Sequence, residues 1–110
     1  MSDKGIRITG ELTQDAALLY TPGATPTAHL ELHIDADIGL PYVARHPLGA
    51  DPNAHMAAQA KLIMLRRGAQ VAVYGAGLRA QSDHGIACLA VLRVSDVLPL
   101  GSIRKKQGGD

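Results

Sequence analysis

A chain of 110 residues has room for one modest core, and its balance of 46% hydrophobic to 19% charged residues excludes wholesale disorder. A net charge of +1 leaves no global field, so any attraction to nucleic acid must come from a local patch. A single cysteine rules out a disulfide framework or a cysteine-rich metal site, and three tyrosines without phenylalanine or tryptophan leave the core to aliphatic side chains. The opening Met-Ser-Asp-Lys-Gly lacks an apolar leader, and no run approaches about 18 apolar residues. A soluble, cytoplasmic protein with no membrane partner is therefore expected.

In chain order, Ile6, Ile8 and Leu12 alternate with Arg7 and Thr9 as a first strand, with Gly10 marking a bend or bulge. The run from Tyr20 to Pro26 carries two prolines and a glycine and reads as a loop. Ala28, Leu30, Leu32 and Ile34 then alternate strictly with His29, Glu31, His33 and Asp35, the pattern of a half-buried second strand. Tyr42-Val-Ala-Arg-His46 is a third, ended by Pro47. Asp51 and Pro52 suit the N-cap and first position of a helix. Met56, Ala60, Ile63 and Met64 fall at helical spacing, Arg66 and Arg67 complement its negative end, and Gly68 closes it. Gln70 to about Arg79 forms a fourth strand, Ser82-Asp-His-Gly85 a hairpin turn, and Ile86 to Leu98 a fifth that buries Cys88.

The order β-β-β-α-β-β, with one helix between the third and fourth strands, is that of the five-stranded OB-fold barrel. Such all-β barrels commonly bind oligonucleotides or oligosaccharides across one face. Residues 1–100 form the single domain and residues 101–110 a short basic, polar tail.

One phrase points elsewhere. Gly75-Ala-Gly77-Leu-Arg-Ala80 follows a strand and matches the dinucleotide fingerprint, with Asp96 about 20 residues further on. The fingerprint needs a helix opening at Gly77, but a glycine and a β-branched run follow within about two turns. A nucleotide-binding enzyme is the least favoured reading, and no catalytic residue, cofactor or metal is expected. His29 and His33, four apart on one strand, are roughly 13 Å from each other, too far to share a metal. His46, His55 and His84 read as surface histidines.

The candidate binding residues are basic and aromatic. Arg7, Arg45, Arg67, Arg79 and Arg93 lie on or beside strands where they can face one groove and track a phosphate backbone, or else pair with acidic neighbours in solvent. Tyr74 is out of register with Val71 and Val73 and points away from the core. Tyr42 and Tyr74 can each stack a base or pack at a subunit interface, and Tyr20 anchors its loop.

Several phrases, taken in succession, carry a family resemblance. Ile8-Thr-Gly-Glu-Leu-Thr-Gln-Asp15 with Leu19-Tyr-Thr-Pro-Gly23 resembles the opening of bacterial single-stranded DNA-binding proteins. Ala28-His-Leu-Glu-Leu32 is similar to that family's second strand, Leu65 to Gly75 with Gly77-Leu-Arg79 to its fourth, and Val94-Ser-Asp-Val-Leu-Pro99 to its last. The match runs from about residue 6 to 100. It implies an OB-fold that binds single-stranded DNA, or RNA, without catalysis or strong sequence preference in replication, repair or recombination. It also implies assembly as a homodimer or homotetramer. The departures are equally specific. Only Tyr42 falls where the family's third strand carries an aromatic, Leu48 stands where another is common, and none follows Arg79. Ser82 to Gly85 replaces a long loop, and Ile103-Arg-Lys-Lys106 stands in place of an acidic tip that recruits partners. Binding should then be weak and governed by charge, since stacking is worth roughly 1–3 kcal/mol per base. Primosomal replication protein N, a short relative without the acidic tail, is a second choice. An OB-fold subunit that binds proteins and has lost DNA binding is the alternative that the aromatic deficit favours.

Overall fold

The computed structural model describes residues 5–36 and 39–101. They form eight strands and one helix: β1 (Ile6–Leu12), β2 (Ala17–Thr21), β3 (Thr27–Asp35), β4 (Tyr42–Gly49), α1 (Pro52–Lys61), β5 (Gln70–Gly75), β6 (Gly77–Asp83), β7 (Ile86–Leu92) and β8 (Asp96–Gly101). Hydrogen bonding runs through one sheet in the order β6-β7-β4-β3-β1-β5-β8, with β2 added to β3. The β4–β7 pair is parallel and the others are antiparallel. The path does not return from β8 to β6, which corrects the expectation of a closed five-stranded barrel.

The extra strands have local causes. Ala17 to Thr21, whose last two residues the sequence assigns to a loop, pairs with β3 from Ala17↔Glu31 to Thr21↔Thr27. The expected fourth and fifth strands each break once. Gly75 is buried, and a Cβ there would stand 2.7 Å from Val91 Cγ1 and 2.8 Å from Leu92 O, so only glycine lets the backbones approach this closely. Arg93 takes a left-handed φ of 51° at the other break. The two bends are laced together, Ala76 N donating to Leu92 O at 2.7 Å and Ser95 N to Tyr74 O at 2.8 Å. Pro47 does not end β4. It lies opposite His29 where the register shifts between Ala28 and His29, and an irregularity tolerates a residue that cannot donate.

The core follows the alternation of β3: Ala28, Leu30, Leu32 and Ile34 are buried and their polar neighbours are not. Leu12, Val71, Val73 and Val97 meet them from β1, β5 and β8. Each of these leucine, isoleucine and valine side chains contributes about 1.5–3 kcal/mol by leaving water.

Asp51 caps α1 as expected, its Oδ1 accepting from Asn53 N at 2.9 Å, with Pro52 next. The helix ends at Lys61, earlier than the spacing predicts. A tight turn follows, in which Met64 N donates to Lys61 O at 2.8 Å, because Leu65 must drop fully into the core. Arg66 and Arg67 therefore lie beyond the helix. Gly68 has its left-handed φ (92°), but its N–H donates to Leu12 O, across to β1, at 2.9 Å. Met56 and Ile63 point outward, 70% and 75% exposed, while Ala58 supplies the buried contact of α1. Among the described residues no helix is long and apolar enough to cross a membrane. The expected basic tail lies outside the described residues after Gly101.

Candidate nucleic-acid interface

Residues directly opposite one another in a sheet share a face. Arg79 stands opposite Ala90, Ala90 opposite Val43, and Val43 opposite His33, so β6, β7, β4 and β3 contribute one row to the outward surface. Three strand spacings make that row roughly 14 Å long. Two residues along, Arg45 faces Glu31 on the same surface. The structure thus brings Arg45 and Arg79 together with His33.

The remaining candidates fall elsewhere. Arg7 pairs with Tyr74, and Tyr74 with Asp96, on the outward side of β1, β5 and β8. Arg7 Nε donates to the Tyr74 hydroxyl at 2.9 Å, and its guanidinium carbon lies 5.8 Å from the ring centroid. Arg67 sits in the turn after the helix, where its backbone N–H donates to Asp15 Oδ1 at 2.8 Å. Arg93 sits exposed at the bend between β7 and β8. The five arginines do not line a single groove.

Tyr42 is corrected outright. It is 6% exposed and belongs to the core cluster, opposite Ile34 and Leu89, so its ring offers no face to a base. Gly77 opens strand β6 and not a helix, so the helix terminus that a dinucleotide fingerprint requires does not exist there.

A groove of about 300 Å³ lies beside the Arg79–His33 row. Val43 and Cys88 are its buried floor, and Pro41 and Ile86 line it with apolar surface. Thr13, Gln14, His33 and His84 add polar groups. It lies where the β1–β2 connection, the β3–β4 surface and the β6–β7 hairpin meet, at the small end of the range for ligand pockets. His84 and Gly85, both at positive φ, make the tight hairpin turn that brings His84 there.

Glu31 is the electrostatic centre of the surface. Its Oε2 lies 2.9 Å from His33 Nε2, and its Oε1 lies 3.0 Å from Arg45 Nε and 3.8 Å from His29 Nε2. Burial pushes its pKa up, but the hydrogen bonds from His33 and Arg45, helped by their charges, outweigh that and hold it below the usual value. His46, on the inner side of β4, is shifted down by burial and by the charge of Lys61, against a smaller opposing effect of Asp96. Among the described residues no group of three His, Cys, Asp or Glu is placed to hold a metal.

Sequence reasoning missed the groove and the Glu31 cluster. The strict alternation of β3 announced that His29, Glu31 and His33 share a face. Nothing in it revealed that Arg45 would arrive opposite Glu31, since that depends on the β3–β4 register.

Among solved structures, the fold is similar to that of a small single-stranded DNA-binding protein from Streptomyces coelicolor, with a TM-score of 0.50 and 12% sequence identity over 88% of this chain and 94% of that one. Neither a protein-family model nor a curated protein matches the chain. At that identity the likeness concerns the fold alone. It identifies the eight strands and the helix as an OB-like arrangement of the kind seen in single-stranded DNA-binding proteins.

Proposed function

We propose that this protein binds single-stranded nucleic acid, DNA in the first instance, without catalysis and without strong sequence preference. The observation that carries the reading is the outward row from Arg79 to His33 beside an apolar-floored groove, on an OB-like fold. Arg79, which has no ion pair among the described residues, is the leading phosphate contact, and Arg45 lies two strands away on the same surface. A base entering the groove lies against Pro41 and Ile86 in place of an aromatic ring. Arg7 and Tyr74 offer a second contact further round the sheet. Few aromatic faces and few unpaired cations make the binding weak and dependent on charge. Roles in replication, repair or recombination, in the cytoplasm and as a homodimer or homotetramer, complete the proposal.

The test is an anisotropy titration with a labelled oligo-dT strand across a salt series. The logarithm of the affinity should fall linearly with that of the salt concentration, by about 0.7 per phosphate contact. Absence of binding at low salt by the folded protein overturns the reading. A protein-binding OB-like subunit would then take its place, a role favoured by the outward Met56, Ile63 and Met64.

A further inference from the structure

We infer that Glu31 is an internal anion that competes with nucleic-acid phosphate for Arg45 and thereby keeps the affinity of this surface low. The inference rests on the proposed binding function and names the residue that sets its strength.

Two nitrogen donors hold one carboxylate, Arg45 Nε at 3.0 Å on Oε1 and His33 Nε2 at 2.9 Å on Oε2, and His29 Nε2 stands near it, 3.8 Å from Oε1. A guanidinium flanked by imidazoles is a donor set suited to a phosphate oxygen as much as to a carboxylate. Glu31 holds the place that such an oxygen would take. Its side chain is 19% exposed whereas that of Arg45 is 46% exposed, so the cation reaches solvent while its counter-ion sits deeper in the sheet.

Among the described residues, the cross-strand partners at this point supply no second carboxylate. Opposite Glu31 on the other side is Ala17 of β2, and opposite His29 and His33 are Pro47, Leu19 and Val43, none of them charged. A backbone phosphate that approaches Arg45 therefore meets one opposing charge and must displace it. Arg79, two strands away, meets no such competitor among the described residues. The two arginines of one surface should differ in what they contribute, and one neutral substitution should make them alike.

The experiment compares wild type, Glu31→Gln and Glu31→Thr in the oligo-dT salt titration, with melting temperature checked for each. The threonine variant suits a strand should the glutamine variant fold poorly. Removal of the competitor should tighten binding at low salt about five- to tenfold and steepen the salt slope by about 0.7, the value of one added phosphate contact. Glu11→Gln, which removes an exposed carboxylate on β1, controls for net charge and should tighten binding less than about twofold. Arg45→Ala should cost little in wild type but abolish the gain in the Glu31→Gln background, a coupling that a purely structural role for Glu31 would not produce. An oligonucleotide bound by wild type but no more tightly by either Glu31 variant overturns this inference alone. So does an equal gain in Glu11→Gln. Failure of every protein to bind overturns it together with the proposed function.

Discussion

Arg45 and Arg7 each stand directly opposite a hydrogen-bonding partner on a neighbouring strand, yet the partners differ in kind. Arg45 Nε meets a carboxylate oxygen of Glu31 at 3.0 Å, and Arg7 Nε meets the Tyr74 hydroxyl at 2.9 Å. Both contacts orient the guanidinium. Only the first cancels its charge. A phenol accepts a hydrogen bond and lends its ring to the cation, which is worth about 0.5–1 kcal/mol at exposed sites, and leaves the full positive charge facing solvent. Arg7 on β1 thus keeps its own charge available, on a face that also carries the exposed Glu11 and, opposite Tyr74, Asp96. The surface of β3 and β4 has the groove and holds its charge in check.

The largest effect that bears on this contrast falls on the tyrosines. Tyr42→Ala should cost about 3–5 kcal/mol in stability through the cavity it leaves. A calorimetric scan should show a fall of well over ten degrees, at roughly 4–8 °C per kcal/mol for a small domain. Tyr74→Ala should leave the melting temperature nearly unchanged and weaken oligo-dT binding several-fold. A stable Tyr42→Ala protein that binds poorly would return Tyr42 to the surface and dissolve the contrast.

Next come the arginines themselves. Arg7→Ala should weaken binding about tenfold, equivalent to roughly 1.4 kcal/mol, and reduce the salt slope by about 0.7. Arg45→Ala should cost less than about twofold. The reverse order in a side-by-side titration would show that a carboxylate partner does not disable an arginine here.

The smallest effect is a pH dependence. Glu31 is held below its ordinary value of 4.5, so its contribution to stability is fully present above that pH and is lost as pH falls through the lower folded value. Denaturant unfolding of Glu31→Gln should consequently show a flatter acid limb than wild type. His46, shifted below 6.5, adds a loss in the same direction that begins at a higher pH, because acid must charge a half-buried ring beside Lys61. That part of the limb should persist in Glu31→Gln and disappear in His46→Gln.

Much of this architecture was legible from the chain. The alternation of β3, the Asp51–Pro52 helix start and the turn at His84-Gly85 are each governed by local chemistry, and each appears in place. What escaped depended on distant partners. The helix stops early because Leu65 is drawn into the core, and Pro47 is tolerated because β3 shifts register beside it. Tyr42 shows the limit most clearly. It begins a run of three consecutive buried residues, Tyr42 to Ala44, so β4 gives no alternation from which to read the direction of its ring. The candidate site was half visible for the same reason: residue types and strands could be assigned, but the register that joins Glu31 to Arg45 and Arg7 to Tyr74 could not.

The bends at Ala76 and at Arg93 to Ser95 have a mechanical consequence. The two outermost strands of the sheet, β6 and β8, are each covalently continuous with the strand next to the other's end, β5 and β7. A ladder whose outermost strands do not pair with each other is therefore stitched shut by the chain and by the two hydrogen bonds between the bends. Neither end can peel away without pulling on the opposite one, so fraying at a margin becomes opening of the whole. Such a sheet should melt in one step, and its slowest amide protons should exchange at a common rate across β1, β3 and β5.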